Sequence, residues 1–211
     1  MCTKVKEKIR EGWHRHCNGG GWVQDTATVL ENAFVGKRAQ VFGNAQVFGD
    51  AIVAGGAMVY DSAQVYGSAQ VCGNAQVFGD AKILNYAQIH GHAKVYGHAR
   101  VSAHANIREN AVLYNHSHVY GGAQVFGNAQ VYGKTKLFGY ILVFNFARVY
   151  GNAQVFGKAK VFDNAQVFGN AKICDKAQVF GKAKVFDNAQ LIGKAKLYYE
   201  TELSGDTILS E

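Results

Sequence analysis

The sequence predicts an all-β chain, a single-stranded, three-sided parallel β-helix of about ten 18-residue turns behind a short N-terminal helical cap. Three observations predict it. The stretch Ala39 to Asn44, A-Q-V-F-G-N, recurs every six residues almost to the C-terminus. Two residues after each alanine position stands Val, Ile or Leu, from Val23 to Leu209, and no insertion or deletion breaks the phase. The residues that follow this aliphatic column, read at 18-residue steps, are Phe42, Tyr60, Phe78, Tyr96, Tyr114, Tyr132, Tyr150, Phe168 and Phe186, nine aromatic positions without a gap. A 12-residue step from Phe42 meets Ala54 at once, so three sides are expected rather than two.

The six-residue unit follows from strand geometry. Side chains alternate along a strand, so Ala39 and Val41 share one face and Gln40 and Phe42 the other. The alanine and aliphatic columns are almost wholly apolar and are expected inside. Ser117, Thr135, Thr201 and Thr207 put a hydroxyl in the alanine column, and Ile141 alone is large there. Gly-Asn, Gly-Asp, Asp-Asn or Gly-Lys then turns the chain, because these residues tolerate positive φ. The absence of proline suits continuous ladders.

Taken in order, residues 3–11 read as a short helix with Val5, Ile9 and Trp13 on one stripe. The open end of a β-helix exposes unpaired strand edges, so residues 1–20 are assigned as a helical cap and a glycine-rich lead-in, with Trp22 plugging the first turn. Residues 21–211 form the hexapeptide-repeat β-helix. Residues 23–38 are a degenerate opening, and regular turns run from 39 to about 198. From about 199 the outward aromatics stop and a C-terminal cap is expected. His14, His16 and Cys17 cluster near the start, but a metal site there lacks a fourth ligand, so no metal is expected.

The net charge of +7 is spread as +3, +2 and +2 over residues 1–39, 40–139 and 140–211. No polybasic arm points to nucleic acid, and no apolar run is long enough to span a bilayer, so the expected location is cytoplasmic. Cys2, Cys17, Cys72 and Cys174 show no paired spacing and are expected as free thiols.

Each side has its own outward column. The first is the aromatic ladder above. The second runs Leu30, Phe48, Tyr66, Leu84, Ser102, Tyr120, Phe138, Phe156, Cys174 and Ile192. The third is small or polar from Gly36 to Arg108 and aromatic from Phe126 to Tyr198. Stacking stabilises such ladders, and an apolar strip of this length also suits an interface or a ligand platform, a glycan among the candidates. His92, His98, His104 and His116 all take the second corner position, with His98 and His116 one turn apart. They serve either as exposed turn residues or in chemistry, His98 and His116 as a metal pair, or His98, His104 or His116 as a general base. Along another corner, Gly122 leaves a notch between His104 and Tyr140, where a small molecule could sit.

Val41-Phe42-Gly43-Asn44-Ala45-Gln46 resembles the repeat of the bacterial hexapeptide-repeat proteins. That repeat has an aliphatic residue, a small or acidic one, two free positions, a small residue and a free position. The second position departs by being aromatic here. Gly19-Gly20-Gly21-Trp22-Val23 also resembles the opening of uncharacterised bacterial and phage-encoded members. The resemblance covers nearly the whole chain and implies a left-handed β-helix. It further implies homo-oligomers, trimers above all, and acyl transfer from acetyl-coenzyme A at a subunit interface, with a histidine as base. Members that are enzymes carry a loop thrown out of the helix, and no such loop is legible here. The function expected from the residues is therefore a non-enzymatic structural or interaction solenoid that self-associates through its aromatic ladders and needs no cofactor. An acyltransferase-like enzyme and a polymer-forming or glycan-binding β-helix are the alternatives.

Overall fold

A computed structural model describes residues 11–211. Among them are 33 strands and no helix. Most strands are two residues long, because each hexad supplies one extended pair before the chain turns. The strands assemble into three sheets of 12, 10 and 11 strands, in which every third strand is a neighbour. The register is 18 residues throughout: Gln40 pairs with Met58 and Val41 with Val59, and Lys184 pairs with Glu202 at the far end. The chain is thus a parallel β-solenoid of about ten turns whose three sheets fit a three-sided prism.

The alanine and aliphatic columns form one continuous core, with residues from Ala33 to Ala195 at 0 % exposure. Each turn is closed by the next: Gln40 N donates to Ala57 O at 3.0 Å and Phe42 N to Val59 O at 3.0 Å. Fully burying one aliphatic side chain of a turn stabilises it by roughly 1.5–3 kcal/mol. Ile141 is accommodated inside at 0 % exposure. Thr201 and Thr207 sit where the prism ends and are exposed, which explains hydroxyls in that column there. Ser117 and Thr135 are different, being fully buried in mid-prism with hydroxyls that find no partner.

The corners explain the glycines and acids. Gly43 has φ of 68°, and a Cβ there would lie 2.9 Å from Asp61 N, so glycine is favoured and a side chain would force the neighbouring corner to shift. Where the left-handed corner residue is acidic, the next turn carries glycine and the carboxylate accepts that glycine's N–H: Asp61 from Gly79 at 3.1 Å, Glu109 from Gly127 at 3.0 Å and Asp187 from Gly205 at 3.2 Å. An otherwise orphaned corner donor is satisfied in this way.

The N-terminal end differs from the expectation. The proposed helix over 3–11 lies outside the described residues except at its last position, and Trp13, assigned to its stripe, is in a strand. β1 (Trp13–Arg15) runs antiparallel on β2 (Trp22–Gln24), pairing Trp13 with Gln24 and Arg15 with Trp22. The exposed sheet edge needs backbone partners, which a hairpin supplies and a helix does not. Trp22 faces outward under the Arg15 guanidinium, 3.7 Å from its ring, and does not plug the turn. His16 is buried instead, its Nε2 donating to Ala33 O at 2.9 Å. At the other end, strands Glu202–Leu203 and Ile208–Ser210 extend two of the sheets.

Cys17 is disulfide-bonded, which corrects the expectation of four free thiols. Cys72 and Cys174 are free. No described helix is long and apolar enough to cross a membrane.

Candidate functional site: aromatic ladders and a basic groove

In-register strands place every eighteenth residue one rung apart, so the outward rings stack. On the first side Phe42, Tyr60, Phe78, Tyr96, Tyr114, Tyr132, Tyr150, Phe168 and Phe186 form one unbroken ladder. Its centroid spacings include 4.8 Å for Phe42–Tyr60, 5.1 Å for Tyr96–Tyr114 and 4.9 Å for Phe168–Phe186. Trp13 covers the Phe42 end at 5.8 Å. The third side stacks Phe126, Phe144, Phe162, Phe180 and Tyr198, and the Arg108 guanidinium lies 4.1 Å over Phe126. The second side stacks only Tyr120, Phe138 and Phe156. These spacings leave no room between rings, so the ladders present edges to solvent and keep their faces for one another. Burial pushes the phenols of Tyr60, Tyr114 and Tyr150 above the usual value, so they stay protonated.

The three candidate catalytic histidines do not meet. His98 and His116 stack at 4.8 Å with a 12° interplanar angle. His104 lies on a different corner, stacked on Tyr86 at 5.1 Å. A metal shared by two imidazoles needs both nitrogens converging at about 2.0–2.1 Å, and near-parallel rings 4.8 Å apart direct their lone pairs alongside each other. No group of His, Cys, Asp or Glu able to hold a metal occurs among the described residues. His14 contacts Asp25 at 2.8 Å, a structural role at the cap. The notch at Gly122 is filled: a Cβ there would meet Tyr140 Cδ1 at 2.8 Å. Tyr140 itself is 72 % exposed.

A groove runs along the corner between the first and second sides. It has a volume of about 580 Å³ and lies between two columns. The corner column contributes Asp80, His98 and His116, and the strand column contributes Gln64, Lys82, Arg100 and His118. A shallower stretch continues it past Lys134 and Lys136. Asp80 is the sole acid among its lining residues, its Oδ2 3.4 Å from His98 Nδ1. Burial, then Arg100, Lys136 and His116, hold the His118 pKa below its usual value. The groove is therefore electropositive, suited to an anion and not to storing a proton on His118. Lys82, Arg100, His118 and Lys136 were not candidates from the sequence. The signal was present in the column that precedes the aliphatic one, read at 18-residue steps.

The free thiols are poor nucleophiles, since burial pushes both Cys72 and Cys174 up. In comparisons with known proteins, no family model matches the chain and no curated protein matches it.

Proposed function

We propose that this chain is a non-enzymatic interaction solenoid of the hexapeptide-repeat kind, wound left-handed, and that it self-associates through the first-side aromatic ladder. The observation that carries the reading is the ladder itself: nine rings in one line, with ring edges partly accessible along the face. Eight intervals of about 4.8 Å make an apolar strip roughly 40 Å long, and strips of this extent mark interaction sites. Packing prisms side by side, as in the trimers that the resemblance implies, covers such a strip. The proposed compartment is the cytosol, where Cys72 and Cys174 stay reduced; the Cys17 disulfide weighs against it. Solution mass by light scattering tests the self-association. An oligomer is expected for the native chain, and a smaller species for Tyr114→Lys combined with Tyr132→Lys. A native monomer at high concentration overturns the reading.

Acyl transfer is the second reading, supported by His98 beside Asp80 in an electropositive groove able to attract the phosphates of acetyl-coenzyme A. Calorimetry with acetyl-coenzyme A tests it, and no heat at high micromolar ligand sinks it.

A further inference from the structure

On the second side the strands set Lys82, Arg100, His118 and Lys136 on four consecutive rungs, paired in register. Neighbours in such a column are about 4.8 Å apart, and like charges directly opposite destabilise a sheet. The other strand columns avoid this. Lys94 stands between Gln76 and Val112. Arg148 stands between Gln130 and Gln166. Lys184 is paired with Glu202 at 2.8 Å. Neutral amides also bond rung to rung, as Gln64 does to Gln46 at 3.2 Å and Asn152 to Asn170 at 3.0 Å. This basic run, in which Lys82 and Arg100 are directly opposed charges and His118 separates them from Lys136, thus falls where the groove is, and the corner column adds Lys134 and only one carboxylate, Asp80. Lys82, Arg100, Lys134 and Lys136 face that one acid, with no other counter-charge among the groove's lining residues. The other cationic run, Lys158, Lys176 and Lys194, lies exposed on a corner.

Beside this run, the second-side ladder has its first ring uncovered. Among the described residues Tyr120 stacks on Phe138, at 5.1 Å, and on no other ring. The rung on its other side carries Ser102, so that face opens over a small side chain. The opening rings of the other two ladders are covered, Phe42 by Trp13 and Phe126 by Arg108. Tyr120 is accordingly 37 % exposed. Alternation puts Arg100 and Ser102 on one outward face of one rung, and His118 and Tyr120 on the same face of the next.

We propose that this face binds an extended acidic polysaccharide lying along the prism axis. One sugar ring stacks on the open face of Tyr120 above Ser102. Its carboxylates meet Arg100 and Lys82 on one side and Lys134 and Lys136 further along. A guanidinium takes a carboxylate in bidentate fashion, and a pyranose needs only one aromatic face. Single-stranded nucleic acid fits less well, because successive bases need successive open rings, whereas in this ladder only the two end rings, Tyr120 and Phe156, have a face without a ring stacked on it and they are two rungs apart.

The test is calorimetry on the full chain at low salt with four probes: polygalacturonate, its methyl ester, inorganic polyphosphate and an oligothymidylate. Polygalacturonate is expected to bind, and the uncharged methyl ester to bind far more weakly. Arg100→Gln is expected to weaken polygalacturonate roughly tenfold, the scale of one charged hydrogen bond. Tyr120→Leu keeps Phe138 covered but removes the flat ring, and is expected to weaken polygalacturonate and leave polyphosphate unchanged. Lys158→Gln, on the other cationic run, is expected to change nothing. The proposal is overturned if polygalacturonate does not bind. It is equally overturned if polyphosphate or oligothymidylate binds as tightly and Tyr120→Leu does not discriminate, or if Lys158→Gln weakens binding as much as Arg100→Gln. Circular dichroism melts confirm that each variant is folded.

Discussion

Replacing Tyr114 by leucine tests whether the first-side ladder is held together by its rings. Tyr114 stacks on Tyr96 at 5.1 Å and on Tyr132 at 4.7 Å. Leucine keeps most of the apolar cover but makes no ring pair. Each aromatic pair contributes about 0.5–1.5 kcal/mol beyond area burial, so the substitution is expected to cost about 1–3 kcal/mol for the two pairs lost. Phe186 stacks on Phe168 alone, at 4.9 Å, so Phe186→Leu is expected to cost about half as much. The assay is equilibrium urea unfolding followed by both circular dichroism and tyrosine fluorescence. Long repeat arrays can lose two-state behaviour, and coincident curves license the comparison. A double-mutant cycle on Tyr114 and Tyr132 then isolates their mutual term, expected near about 1 kcal/mol. Equal costs for Tyr114→Leu and Phe186→Leu, together with no coupling in the cycle, refute the reasoning. The rings would then be aligned by strand register alone, with no attraction of their own. Because Tyr114→Leu leaves the face apolar, the native mass is expected to persist in this variant and to fall only with lysines.

Two further outcomes concern the interior. Burial, the largest cause, holds His16 below the ordinary histidine value, opposed by its bond to Ala33, with His14 lowering it and Glu31 raising it. A depressed pKa means the fold prefers neutral His16, so its contribution is complete above about pH 6.5 and is lost as pH falls through the lower folded value. The melting temperature is expected to drop more between about pH 7 and pH 5 in the native chain than in His16→Gln, and parallel profiles contradict this. Ser117 and Thr135 carry buried hydroxyls without partners, so Ser117→Ala and Thr135→Val are each expected to stabilise by about 1 kcal/mol. A lower urea midpoint in either variant counts against it.

The period, the number of sides and the inward columns were legible because each is written some thirty times over, and a strand's two-residue alternation translates directly into burial. Ladder membership followed from the same arithmetic. The cap was not legible. Val5, Ile9 and Trp13 satisfy a helical stripe, yet Trp13 pairs with Gln24, because an open sheet edge demands backbone partners before side-chain packing. The places of the histidines follow from the same arithmetic, since corner positions six residues apart fall on different edges of the prism: His104 stacks on Tyr86 while His98 faces His116. Trp22 likewise follows its outward parity, with Val23 taking the interior.

The repeat also shows where to look for use. A solenoid's stability is a near-sum of similar turns, so a turn that departs from the pattern without a structural compensation stands out against its neighbours. Ile141 departs and is compensated, since it is fully buried. The Asp61 and Glu109 corners depart from glycine and are compensated by bonds to Gly79 and Gly127. Lys184 is compensated by Glu202. At Lys82, Arg100, His118 and Lys136 the basic side chains stack, the one nearby acid contacts His98, and the adjoining ring ladder stops one rung short at Ser102. None of these choices improves the packing of the prism. The ladders account for how such a regular chain holds its shape and, on the reading proposed above, meets its copies. The basic face beside Tyr120 is where unpaired charge and an open ring face lie side by side.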